Sequence, residues 1–237
     1  VMRQTISMSG GNPIYAKGTG SSTQLTATVN GTVGNDAVAW TSGNTNIAKV
    51  SGGKVTGVGA GTVTITATSN GVSTSKSIQV KEPTIKLDRE TANIYPPATK
   101  TVTFTVTVNG VQGNSGVTWT SGNTKVATVS NGKVTAVGKG TATITAKANG
   151  KLAKAKVTVK DPYANVSPTS GTIKVGKTLQ LTTNYAPAST GTPSYSSSNK
   201  KVATVDSKGV VKGVKAGTAT IIVKVNGVTA KAEITVK

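Results

Sequence analysis

The 237 residues include no cysteine and no histidine. The first absence excludes disulfides and thiol catalysis and leaves cysteine silent about redox compartment. The second removes the commonest metal ligand and the side chain most used as a general base near neutral pH. Aromatics make up only 3%, with 2 Trp, 5 Tyr and 1 Phe. A core must then be built mostly from Val, Ile, Ala and Thr methyl groups, which suits several thin β-layers better than one thick core. Acids are scarce as well, 7 against 27 Lys and Arg, for a net charge of +20. No apolar run approaches the length of a membrane-spanning helix, so no membrane span is expected. The opening VMRQTISMSG has no apolar signal core, so no intact signal peptide is expected there, and a start on Val fits a processed or excised chain.

What the chain does have is turn and strand chemistry, with 28 Gly and many Thr, Ser and Asn, arranged in three copies of one unit. VAWTSGNTNIAKVSGGKVTGVGAGTVTITA spans 38–67 and VTWTSGNTKVATVSNGKVTAVGKGTATITA spans 117–146. PSYSSSNKKVATVDSKGVVKGVKAGTATIIV spans 193–223, with one extra residue near Lys208. Trp40, Trp119 and Tyr195 hold the same position, 79 and 76 residues apart. That period is too long for a solenoid repeat and right for a small independent domain. Lys81-Glu82-Pro83 and Lys160-Asp161-Pro162 read as short, stiff joints, because Pro fixes its own φ and biases the residue before it towards extended geometry. The expected modules are therefore 1–81, 82–160 and 161–237, strung as an elongated rod.

Within each copy the pattern alternates with period two. In TATITAK, Ala142, Ile144 and Ala146 share one face, and Thr141, Thr143, Thr145 and Lys147 the other. Asn149-Gly150 then leads into a second alternating run, LAKAKVTV, and Asn70-Gly71 and Asn226-Gly227 repeat the signal. Asn-Gly between alternating runs predicts a β-hairpin. No segment has a convincing helical period, and the spacing predicts all-β Greek-key sandwiches with Trp40, Trp119 and Tyr195 as core aromatics between the sheets.

The run W-T-S-x-N-x-x-V-A-x-V, then G-x-V-T-x-V-x-x-G-T-x-x-I-T-A, resembles the bacterial immunoglobulin-like domain, group 2. Here it stands as Trp119, Thr120, Ser121, Asn123, Val126, Ala127 and Val129, then Gly132, Val134, Gly140, Thr141 and Ile144. All three copies match, although copy three has Tyr195 for Trp and the first 37 residues match loosely. The resemblance implies an immunoglobulin-like sandwich, of the kind used in adhesins, surface-layer proteins, extracellular enzymes and phage virion proteins. It implies a spacer or binding unit rather than a catalyst, at a bacterial cell surface or, alternatively, in a phage virion.

Candidate chemistry is sparse. AVGKGT, residues 136–141, looks like part of a phosphate-gripping loop. A Walker A motif, however, needs four residues between its glycines, Ser or Thr after Lys, and a helix after the loop. Here five residues separate Gly132 from Gly138, Gly140 follows Lys139, and a strand is predicted next. Lys139 aligns with Ala60 and Ala216, whereas Gly140 aligns with Gly61 and Gly217, so the repeated feature is the glycine, for positive φ or close backbone approach. The acids are Asp36, Glu82, Asp88, Glu90, Asp161, Asp206 and Glu233. Only Asp88 and Glu90 are close, in KLDRE beside Lys86 and Arg89, and a solvated, charge-compensated strand is expected there rather than a hydrolytic pair or a calcium site. A Lys–Asn isopeptide crosslink would need a buried acid, and each copy has few. No enzyme activity, metal or cofactor is expected.

The positive surplus is +5, +8 and +7 in the successive copies, which together make the +20. In AKANGKLAKAKVTVK, Lys154, Lys156 and Lys160 lie on one strand face, with Lys147 and Lys151 nearby, and Lys200-Lys201 adds a pair in copy three. These are the candidate polyanion-binding residues; the alternative is a solvated face that discourages edge-to-edge strand pairing. Lysine outnumbers arginine and exposed aromatics look scarce, which disfavours sequence-specific nucleic-acid recognition and favours diffuse phosphate contact. The expected partner is an anionic cell-envelope polymer, such as teichoic acid, or a surface glycan. The protein is then a stiff extracellular stalk or coat segment. The alternative is a self-assembling surface-layer, filament or virion subunit that contacts copies of itself or other surface proteins.

Overall fold

A computed structural model describes residues 4–30, 32–33, 37–188 and 190–237. Among these residues every regular element is a strand. In the middle module one sheet has Thr91–Ile94, Lys151–Val159, Gly140–Ala148 and Thr118–Ser121 side by side. The first pair is parallel and the others antiparallel. Facing it are two shorter ladders, one of Ile85–Leu87, Val106–Val108 and Val111–Gln112, the other of Thr101–Thr103, Lys133–Ala136 and Ala127–Ser130. The strand that opens the module thus serves both layers: Ile85–Leu87 pairs antiparallel with Val106–Val108, and Thr91–Ile94 crosses to run parallel with the last strand. The same four-stranded sheet recurs as Ile14–Tyr15, Val72–Lys81, Gly61–Ser69 and Ala39–Ser42 in the first module. In the third it is Ser170–Ile173, Val228–Val236, Gly217–Val225 and Ser194–Ser197.

The alternation read from the sequence places the core. Ala142, Ile144 and Ala146 are buried while Thr141, Thr143 and Lys147 are exposed, and each module has its own cluster of buried aliphatics. The hairpins turn where the Asn-Gly pairs predict. Asn70, Asn149 and Asn226 have φ of 47°, 52° and 53°, and the glycines after them 80°, 80° and 78°. Two successive left-handed residues make the type I′ turn, whose twist matches its strands.

Accessible surface shows how little the modules cover one another. It is 13154 Å². One compact globule of this mass would expose about 9,800 Å², and three separate globules of a third of the mass about 13,200 Å².

The family motif resolves into turn chemistry and packing. Ser121 Oγ donates to the Ala127 carbonyl at 2.6 Å and accepts from Asn123 N, while Asn123 Oδ1 accepts from Lys125 N. Ser42 and Asn44 repeat the set in module 1. Ala127, Val134 and Ile144 are fully buried. Trp40, Trp119 and Tyr195 are half-buried, packed beside their clusters rather than at the centre. Trp119 Nε1 donates to Asn114 Oδ1 at 3.2 Å, and Tyr195 Oη lies 2.8 Å from Thr183 Oγ1. The fully buried aromatic is Phe104, which the sequence reading did not single out. It aligns with Leu25 and Leu181: all three are buried, and their amides donate to the carbonyls of Gly132, Gly53 and Gly209.

Candidate functional site

The phosphate-loop candidate ends as a turn. Gly140 begins a nine-residue strand, and Lys139 Nζ sits 2.6 Å from Asp161 Oδ2 with both side chains over 70% exposed. An exposed pair of this kind contributes little stability, but it puts Lys139 on the joint that leads to module 3.

KLDRE is a backbone stitch. Asp88 Oδ1 accepts from Thr105 N at 2.9 Å, and Asp88 Oδ2 accepts from Arg89 Nε at 2.8 Å and Nη2 at 2.6 Å. Arg89 Nη2 also donates to the Thr103 carbonyl. These bonds satisfy backbone groups where the strand breaks between Thr103 and Val106, and the guanidinium lies over the Phe104 ring, 5.6 Å from its centroid. Burial alone would raise the Asp88 pKa; hydrogen bonds from Arg89 and Thr105, with the guanidinium charge, outweigh it and hold the carboxyl below its ordinary value. Glu82, Asp88, Glu90, Asp161, Asp206 and Glu233 are all exposed, and Asp36 lies outside the described residues. None of the described acids is therefore buried beside a Lys–Asn pair.

The lysine candidates separate into groups. Lys147, Lys154 and Lys156 share the outward face of the four-stranded sheet in module 2. Lys154 stands opposite Thr145, Lys156 between Thr143 and Thr91, and Lys147 between Thr118 and Leu152. Facing side chains at such positions are about 5 Å apart at Cβ, with diagonal neighbours at about 7–8 Å. The rest of the outward rows, besides those partners, is Asn93, Thr120, Thr141 and Thr158, so these strands bring no carboxylate to the face. Lys151 does not join it: its Nζ is 2.8 Å from Glu82 Oε2, at the joint with module 1. Lys160 follows the strand's end, its amide donating to the Ile94 carbonyl. Lys200 and Lys201 lie in module 3, in the turn ordered by Asn199, and Lys200 lines an open depression with Tyr195 and Thr204. Lys156 pairs with strands on both sides, so it guards no free sheet edge.

The same face in the other modules shows what the fold requires. In module 1 the three lysine positions hold Thr68, Ser75 and Ser77. Thr66 and Ser75 hydroxyls meet at 2.9 Å, and those of Thr68 and Ser73 at 2.8 Å. In module 3 they hold Lys224, Lys231 and Glu233. At these three positions the same sandwich thus carries uncharged, wholly cationic and mixed residues in turn. This contrast is not legible from alternation alone; aligning the copies position by position reveals it.

Comparison with known proteins gives the family directly. The family model described as "Bacterial Ig-like domain (group 2)" matches residues 4–80, 84–159 and 163–236. Ice-binding protein 1 of Shewanella frigidimarina (strain NCIMB 400) is 30% identical over 231 residues, covering 89% of this chain and 26% of that protein. A 3-O-alpha-D-galactosyl-alpha-L-arabinofuranosidase of Bifidobacterium longum subsp. longum is 55% identical over 51 residues, 21% of this chain and 4% of the enzyme. This chain therefore spans about a quarter or less of the length of these two relatives. Among solved structures, domains 1–6 of the surface layer protein SbsC cover 97% of this chain at 21% identity and a TM-score of 0.37, with 40% of that chain covered. Three N-terminal domains of the bacteriophage RB49 outer capsid protein Hoc cover 99% at 11% identity and a TM-score of 0.39, with 98% of that chain covered.

Proposed function

This chain belongs to the bacterial Ig-like domain (group 2) family, and from that premise we propose that it is a non-catalytic structural segment of a bacterial surface. Its modules act as a stiff stalk or coat, and the outward face of module 2 holds an anionic envelope polymer or surface glycan. The observation that carries the second half is the lysine trio Lys147, Lys154 and Lys156 on a face to which its strands bring no carboxylate. The sandwich does not need them there, because module 1 forms the same face with Thr68, Ser75 and Ser77. Charge placed where the fold is indifferent to it is charge available for a partner.

Lysine ammonium groups suit repeated phosphates as point charges, without the planar fork that reads a base edge. A polymer with regularly spaced phosphates would bind through several weak contacts and release counterions as it does so. Cosedimentation with purified cell walls tests this directly. The expected result is binding to walls that carry teichoic acid and none to walls stripped of it. Equal binding to both would overturn the polymer assignment.

A further inference from the structure

Two turns of this chain are built alike, and one of them is already docked. In module 2, Asn109 caps the start of the module: its amide donates to the Thr84 carbonyl and its Oδ1 accepts from Thr84 N at 2.9 Å. That leaves Nδ2 pointing away from the module, where it donates to the carbonyls of Lys17 at 2.8 Å and Thr19 at 3.0 Å in module 1. Asn109 is only 6% exposed as a result. The turn it enters is completed by Gly18, with φ of 79°, where a β-carbon would strike the side chain of Asn149.

Module 1 repeats the head. The Asn30 amide donates to the Thr5 carbonyl at 3.0 Å, Asn30 Oδ1 accepts from Thr5 N at 3.0 Å, and Asn30 has φ of 49° against 51° for Asn109. Thr5-Ile6 stands where module 2 has Thr84-Ile85. Asn30, however, is exposed. Module 3 lacks the head: Pro187 follows the corresponding strand, and its carbonyl accepts from Asn226. With Oδ1 accepting from Thr5 N and the residue exposed, the two Nδ2 donors of Asn30 are placed to serve a partner as Nδ2 of Asn109 does.

We propose that the Asn30 end of module 1 is a docking head for another immunoglobulin-like module, which offers it two backbone carbonyls on a glycine turn as Lys17 and Thr19 offer them to Asn109. This docking needs no polymer bound by module 2.

Because the chain has no cysteine, spin labels can be placed at will. In the native chain, labels at Thr64→Cys and Thr143→Cys should report one narrow distance across the joint between modules 1 and 2. Asn109→Asp keeps the acceptor for Thr84 and removes the donor, so the narrow distance should be lost. In a second chain residues 5–83 are repeated once, so that Pro83 runs into another Thr5 as it natively runs into Thr84. Labels at both Thr64 positions should then report one narrow distance, lost on Asn30→Asp in the second copy. A broad distribution from the outset, or a narrow one that survives Asn30→Asp, overturns the proposal. A native joint that stays narrow in Asn109→Asp overturns it as well, since the docked example would then not depend on its Asn.

Discussion

A β-carbon on Gly140 would stand 2.9 Å from Val126 Cγ2, on a backbone with φ of 139°. Gly61 meets Ile47 and Gly217 meets Val202 in the same way, at 2.9 and 3.0 Å. The recurrent glycine thus lets the turn close over an aliphatic residue, buried in the case of Val126 and Val202 and partly buried in that of Ile47, before the long strand begins. Replacing it combines a disfavoured conformation with a steric overlap. Gly140→Ala should cost about 1–3 kcal/mol, read as a shift of the urea midpoint. Lys139→Ala, beside it and exposed, should stay within about 0.5 kcal/mol.

Phe104 fills the centre of module 2 and lies under Arg89. Phe104→Ala should destabilise that module by about 3–5 kcal/mol. Because the modules have separate cores, the melt should show one transition displaced and the rest in place. A uniform shift of the whole melt would mean that the modules unfold as one unit.

Asp88 links folding of module 2 to acid. Its carboxyl sits below the ordinary value of 3.8 in the folded state. The stabilisation is therefore fully present above the unfolded value and lost as pH falls through the lower folded one. Acid titration of the module 2 transition should be shallower in Asp88→Asn than in the parent below about pH 4. Equal slopes would remove Asp88 from the acid response.

Much of this was legible in the sequence because it lies in short patterns. Period-two alternation placed Ile144 inside and Thr143 outside, and each Asn-Gly placed a hairpin. Alignment of the copies separated Gly140, held by Val126, from Lys139, which is not held by the core. What was not legible depends on pairings distant in the chain. Alternation in TVTFTVTV puts Phe104 on the inward face with Val106 and Val108, but it does not tell that Phe104, rather than Trp119, is the fully buried aromatic. Trp119 and Tyr195 are large enough to lead a core, yet each keeps a polar atom bonded near the surface and stays half-buried. Lys151 reads as part of the lysine run, but its register beside the turn brings it to Glu82 instead. Asn109 reads as an ordinary turn residue until the carbonyls of Lys17 and Thr19 are seen against it.

The central claim is that the lysine face of module 2, rather than net charge in general, holds an anionic polymer. The most direct measurement is the affinity of the chain for teichoic-acid-bearing walls across a range of salt. It is made for the parent and for a variant carrying the module 1 residues: Lys147→Thr, Lys154→Ser and Lys156→Ser. The expected result is steep salt dependence for the parent, weaker binding and a shallower salt slope for the variant, and unchanged unfolding of module 2. Binding that is insensitive to salt, or a variant that binds as the parent does, would contradict it.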